Sequence, residues 1–138
     1  VIGLSGTESL TATMVTKVRN NWENNRFLYE RIFAEIDGLT LEGVKAIESN
    51  NLTQLGELMN ICQGLLNALG VSSWEIEELI QIARDNGALG AKLTGGGGGG
   101  SMVAICPDNA ERVAAAMRKA GYRAMITEIG GSPEGGQS

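Results

Sequence analysis

Six consecutive glycines, Gly95 to Gly100, constrain this 138-residue chain more than any other feature. Glycine gives up more backbone freedom on ordering than any other residue, so no helix or strand runs through such a stretch. The run therefore divides the chain into two parts that must be read separately. Physically it admits two readings. One is a flexible linker. The other is a loop whose backbone N–H groups face an anion, because the missing Cβ atoms allow close approach to a phosphate. The flanks favour the second. Lys92-Leu93-Thr94 precedes the run and the apolar stretch Met102 to Cys106 follows it, so the glycines sit inside a strand-loop-strand unit. Two familiar phosphate loops are excluded. A dinucleotide fingerprint needs a helix after its glycines, and a P-loop needs a terminal Gly-Lys-Ser/Thr.

Before the run, apolar residues recur at helical spacing. Val1 to Leu4 reads as a short strand turning at Gly6. Leu10, Met14, Val15 and Val18 mark a helix from about Ser9 to Asn20. Phe27, Leu28, Ile32, Phe33 and Ile36 mark a second helix, ended by Gly38. Thr40 then caps a third, with Leu41, Val44 and Ile47 on one face. Asn51 opens a longer helix whose stripe runs through Leu52, Leu55, Leu58, Met59, Cys62, Leu65, Leu66 and Leu69, with Gly70 as its stop. Ser72 or Ser73 caps the next, whose early Glu75, Glu77 and Glu78 complement the helix dipole and which Gly87 ends. Around the glycines, Ala91 to Thr94 and Met102 to Cys106 read as strands, residues 109–120 as a helix, and Tyr122 to Ile129 as a last strand. The expected class is α+β, with helices packed on a small, largely antiparallel sheet. One domain is expected over residues 1–130, followed by a loose Gly/Ser-rich tail over 131–138.

Composition removes several chemistries. Histidine is absent, which excludes Ser-His-Asp and Cys-His catalysis within the chain. Cys62 and Cys106 lie far apart, outside metal-ligand spacing, and read as small apolar residues in a reducing cytoplasm. The net charge of −5 and the lack of a basic cluster argue against nucleic acid as a partner. No apolar stretch approaches the roughly 20 residues that span a membrane. The first residue is Val1, and the chain is expected to have been cut from a longer protein.

The segment Gly87-Ala88-Leu89-Gly90-Ala91-Lys92-Leu93-Thr94-Gly95 and its following glycines closely resembles the third conserved motif of the GHMP kinases, in the form found in mevalonate kinases. Gly96 stands where that family has Ala, and Ser101 where it has Cys. The resemblance extends through Glu57-Leu58-Met59 to Asn67-Ala68-Leu69-Gly70-Val71, although Cys62 replaces a common Asn. Ile36-Asp37 to Leu41-Glu42 and Thr127-Glu128-Ile129-Gly130 fit as well, so it covers essentially the whole chain. Its weakest part is the start. There Ser9 replaces a basic residue, while Thr11 is kept.

The resemblance implies a GHMP kinase C-terminal domain of ferredoxin-like fold. It implies ATP as phosphoryl donor, Mg²⁺, and mevalonate as the alcohol acceptor in isoprenoid biosynthesis. The phosphate-side loop would be Thr94, Gly95, Gly96, Gly97, Gly98, Gly99, Gly100 and Ser101, and the substrate side would include Ser9 and Thr11. Catalytic base and metal ligands would lie in an N-terminal domain outside this chain. No carboxylate here is therefore nominated: Glu8, Asp37 and Glu42 read as solvated or capping residues, and Lys92 as a surface lysine. Homodimerisation stays open. Two other readings remain, another GHMP enzyme such as a phosphomevalonate kinase, and a non-catalytic interaction domain that keeps the fold.

Overall fold

The computed structural model describes residues 1–6, 11–94 and 100–128, and for residues 11 and 12 the backbone alone. Strand β1 (Ile2–Leu4) leads to four helices, α1 (Thr11–Asn24), α2 (Arg26–Glu48), α3 (Leu52–Ala68) and α4 (Trp74–Asp85). The hairpin strands β2 (Gly90–Thr94) and β3 (Ser101–Ile105) follow, then α5 (Ala110–Lys119) and β4 (Arg123–Met125). The sheet order is β2-β3-β1-β4 and each neighbouring pair is antiparallel. This is the β-α-β-β-α-β plan of ferredoxin-like folds, with a helical segment of four helices in the first crossover.

The amphipathic helices α4 and α5 lie on one sheet face. Ile76, Leu79, Ile80 and Ala83 of α4 and Val113, Ala114 and Met117 of α5 are buried against Ala91, Leu93, Met102, Ala104 and Ala124. Fully burying each large side chain of this set is worth about 1.5–3 kcal/mol, so the core of the domain sits here. Helices α1 and α2 bury far less: Phe27 is 78% exposed and Leu41 66%. Backbone approach also shapes the fold. A Cβ on Gly3 would meet the sulfurs of Met102 and Met117 at 3.0 and 3.1 Å.

Several termini form as the sequence dictates. The Asn51 side chain accepts from the Gln54 N–H, and Ser73 from the Ile76 N–H, satisfying N–H groups that the first turns of α3 and α4 leave unpaired. Gly70, Gly87 and Gly121 adopt positive φ (78°, 102° and 98°) just past their helices.

Three expectations are corrected. Gly38 does not end a helix, because α2 runs unbroken from Arg26 to Glu48. A helical glycine costs only about 1 kcal/mol relative to alanine, too little to break a segment whose apolar spacing continues. Thr40 consequently caps nothing; its hydroxyl donates to the Ile36 carbonyl at 3.0 Å. The last strand stops at Met125, because its partner β1 is only three residues long and pairs as Ile2 with Met125 through Leu4 with Arg123. Helix α1, expected to end near Asn20, extends to Asn24. Ser9, Leu10, Ile129 and the tail lie outside the described residues.

Candidate functional site at the glycine run

The glycine run joins the ends of β2 and β3, where Thr94 pairs with Ser101. Gly95 to Gly99 and Ser9 lie outside the described residues, as does the side chain of Thr11, although the Thr11 backbone opens α1. Thr94 is exposed, while Gly100 and Ser101 are half-buried. Gly100 has φ of 93°, a conformation that a side chain would strain.

Both ends of the run are held by side chains. At the leading end, the Leu93 N–H donates to Gln63 Oε1 at 2.8 Å. Gln63 is 1% exposed, and its amide nitrogen also donates to Ser72 Oγ at 3.0 Å and to Glu77 Oε1 at 3.4 Å. One helical turn earlier, Asn60 Oδ1 accepts from the Ala91 N–H and from Arg84 Nε, both at 3.0 Å, while its nitrogen donates to the Leu89 carbonyl at 3.4 Å. Asn60 and Gln63 thus offer β2 the hydrogen bonds that a neighbouring strand would supply. Helix α3 comes this close because Gly56 packs directly on Gly90. A Cβ on Gly90 would lie 2.1 Å from the Gly56 carbonyl oxygen. At the trailing end, the Ser5 N–H donates to the Gly100 carbonyl at 2.8 Å, and the Gly100 N–H donates to Ser5 Oγ at 2.9 Å.

The sequence singled out neither Ser5 nor the Asn60–Gln63 pair. The available signal was two amides, three residues apart, on a helix otherwise striped with leucine. Lys92 is half-buried. Its Nζ donates to the Leu93 carbonyl at 3.0 Å, and its side chain lines a groove of ≈ 140 Å³ with Leu39, Gly43, Leu55, Leu58 and Met59. Glu42 pairs with Lys45 at 3.3 Å, and Asp37 is exposed. Among the described residues, no group of three or more Cys, Asp or Glu side chains could hold a metal ion. The described residues thus show no carboxylate cluster of the kind that holds a metal ion by side chains alone. Also among the described residues, no helix is long and apolar enough to cross a membrane.

The family described as "GHMP kinases C terminal" matches residues 44–123, more than half of the chain and including the whole hairpin. The mevalonate kinase of Pyrococcus horikoshii is 44% identical over 135 residues, covering 94% of this chain and 40% of its own length. That of Pyrococcus abyssi is 43% identical over 134 residues, with the same coverage. Among solved structures, the Leishmania (L. major) mevalonate kinase in complex with R-mevalonate superposes with a TM-score of 0.77 at 30% identity, over 86% of this chain and 36% of that one. The chain thus spans about two-fifths of the length of these curated relatives. The matching family, the antiparallel sheet order and the glycine run between β2 and β3 agree: this chain belongs to the GHMP kinases and forms their C-terminal domain.

Proposed function

We propose that this chain is the C-terminal part of a cytoplasmic mevalonate kinase. The complete enzyme transfers the γ-phosphoryl group of ATP to the 5-hydroxyl of mevalonate, in isoprenoid biosynthesis. The observation that carries this reading is the 44% identity to a mevalonate kinase across 94% of the chain, glycine run included. Residues 1–130 form the domain and 131–138 a tail.

Phosphoryl transfer is mostly positioning and charge stabilisation. In this reading, Thr94 to Ser101 form one wall of the cleft, and the glycine N–H groups face the nucleotide phosphates. The Ser9–Thr11 segment lies toward mevalonate. Mg²⁺ neutralises phosphate charge in such reactions, and the residues holding it, like the catalytic base, belong to the N-terminal domain, which is the chain's closest partner. The anchored ends support this assignment, because a loop that stabilises charge must be held before substrate arrives.

The test uses the complete enzyme, with ATP and a panel of acceptors that includes mevalonate and phosphomevalonate. Preferred turnover of mevalonate is expected, and preference for phosphomevalonate would replace the substrate assignment. Gly98→Val should cut kcat/KM at least about 100-fold while leaving the melting temperature unchanged, because Cβ bulk blocks the loop's approach. Wild-type kinetics in that variant would return the run to a linker. The 138-residue chain alone should show no turnover; measurable ATP-dependent phosphorylation by it would overturn the division of labour.

A further inference from the structure

The turn from α4 into β2 carries the only Asn-Gly pair of the sequence, Asn86-Gly87. In such a pair the glycine nitrogen, with no side chain beside it, can attack the asparagine amide. The fold leaves no choice of residue at 87. Its φ is 102°, which favours glycine, and a Cβ there would meet Asn109 Nδ2 at 2.5 Å. The close approach of α5 thus demands the residue that makes Asn86 labile. The same neighbours hold the amide away from attack. Asn86 Nδ2 donates to the Ile82 carbonyl at 2.8 Å, and Asn86 Oδ1 accepts from Arg112 Nε at 3.3 Å. The Gly87 N–H donates to the Arg84 carbonyl at 3.2 Å, and the Gly87 carbonyl accepts from Asn109 Nδ2 at 3.3 Å. Closing an imide ring needs the Gly87 nitrogen eclipsed with the Asn86 Cβ, and at ψ of 12° the two are turned far apart. Asn86 is nevertheless only half-buried and Gly87 is exposed, so water reaches the turn once it opens.

We propose that Asn86 is a spontaneous deamidation site that the start of α5 holds closed, through Arg112 and Asn109. When α5 lets go, hydroxide takes the Gly87 amide proton and the nitrogen attacks Asn86 Cγ. The bond from Cγ to Nδ2 breaks, ammonia leaves, and a cyclic imide remains. Water adds to one of its two carbonyls, giving aspartate at 86 or an isoaspartate whose main chain runs through the side chain. Both products disturb the turn. The new carboxylate lies at the C-terminus of α4, where the helix dipole disfavours negative charge, and against the Ile82 carbonyl to which the amide had donated. The isoaspartate also lengthens the backbone just ahead of β2, whose Gly90 packs directly on Gly56.

The experiment ages the complete enzyme at mildly alkaline pH, folded and in urea. Mass spectrometry of the peptide containing Asn86, with isoaspartate-specific methylation, reads the conversion. In urea, Asn86 should convert faster than every other asparagine, and in the folded enzyme much more slowly. Arg112→Ala should speed conversion in the folded enzyme about 5-fold, the factor of one hydrogen bond of ordinary strength, and Asn109→Ala by a similar factor. Asn109→Ala serves if Arg112→Ala does not fold. Gly70→Ala, strained in a different turn at φ of 78°, separates local opening from general destabilisation and should leave the Asn86 rate unchanged. Conversion in urea no faster at Asn86 than at other asparagines would overturn the site. Equal rates in the folded and unfolded enzyme, wild-type rates in both α5 variants, or equal acceleration by Gly70→Ala would overturn the hold exerted by α5. None of these readouts depends on the activity assigned above.

Discussion

Gly56→Ala is the sharpest test of how α3 sits on the sheet, because two effects of known size oppose each other. Alanine is favoured over glycine in a helix by about 1 kcal/mol, which would stabilise the variant. Against this, the new Cβ would lie 2.4 Å from the Leu89 carbonyl oxygen, where ordinary contact begins at 3.4 Å. The obstacle is backbone, so α3 must withdraw by the difference of those two distances, 1.0 Å. The Ala91–Asn60 and Leu93–Gln63 hydrogen bonds, now 3.0 and 2.8 Å, would then be stretched out of range. Two bonds lost from partly or wholly buried groups cost about 3–5 kcal/mol together. The clash wins, and a net loss of about 2–4 kcal/mol is expected, or roughly 8–16 °C in melting temperature at about 4 °C per kcal/mol. Gly64→Ala in the same helix and Gly38→Ala in α2 are the controls, since nothing lies within 4 Å of either added Cβ. Both should gain about 0.5–1 kcal/mol. Thermal and urea denaturation of the four proteins, followed side by side by circular dichroism, reads the difference. A Gly56→Ala variant as stable as Gly64→Ala would refute the reasoning.

Tyr122 gives a pH-dependent prediction. Burial, then its hydrogen bond to the Glu78 carboxylate, then the charges of Glu78 and Glu75 push its phenol from 10.0 up to about 12. The folded state holds this proton more tightly than the unfolded state, so the contribution is full below about pH 10 and fades as pH rises through about 12. Stability should therefore fall across that window, and Tyr122→Phe should flatten the fall; an identical pH profile for the variant would exclude the phenol. Gly70→Ala should destabilise the chain by about 1 kcal/mol in urea titration, because φ is +78° and the added Cβ would sit 3.0 Å from Lys17 Nζ. Cys106 is half-buried and burial pushes its thiol up, while Cys62 is buried, so a thiol reagent should modify Cys106 slowly and Cys62 only in denaturant. Mass spectrometry of the labelled peptides checks the order.

The helical caps and the sheet core were legible because local chemistry decides them. Asn51 and Ser73 cap the helices they precede, and the stripe of α4 becomes the core. The break expected at Gly38 fails because glycine alone does not distinguish a helix stop from a tolerated interior residue. At Gly70 the left-handed turn closes on the Asn67 carbonyl, whereas at Gly38 the apolar pattern on both sides carries the helix through. The roles of Asn60 and Gln63 were hidden for a different reason. Polar residues on an amphipathic helix normally face water, and the strand these two serve lies about thirty residues downstream. Ser5 needed the register of β1 against β3 before its hydroxyl could be placed on Gly100. The motif around the run was read directly from Lys92 to Gly95, but what holds it in place is tertiary.

The amides of Asn60 and Gln63 also set the size of the sheet. A strand at the rim of a sheet presents unpaired N–H and C=O groups to any passing chain, which invites polymerisation. On β2 the outward N–H groups of Ala91 and Leu93 already have helical side chains as acceptors, so another strand arriving there would have to displace α3 first. At the far rim, β4 is three residues long and bears Arg123, leaving little template for addition. Among the described residues the sheet thus offers little template at either rim for growth from one molecule to the next.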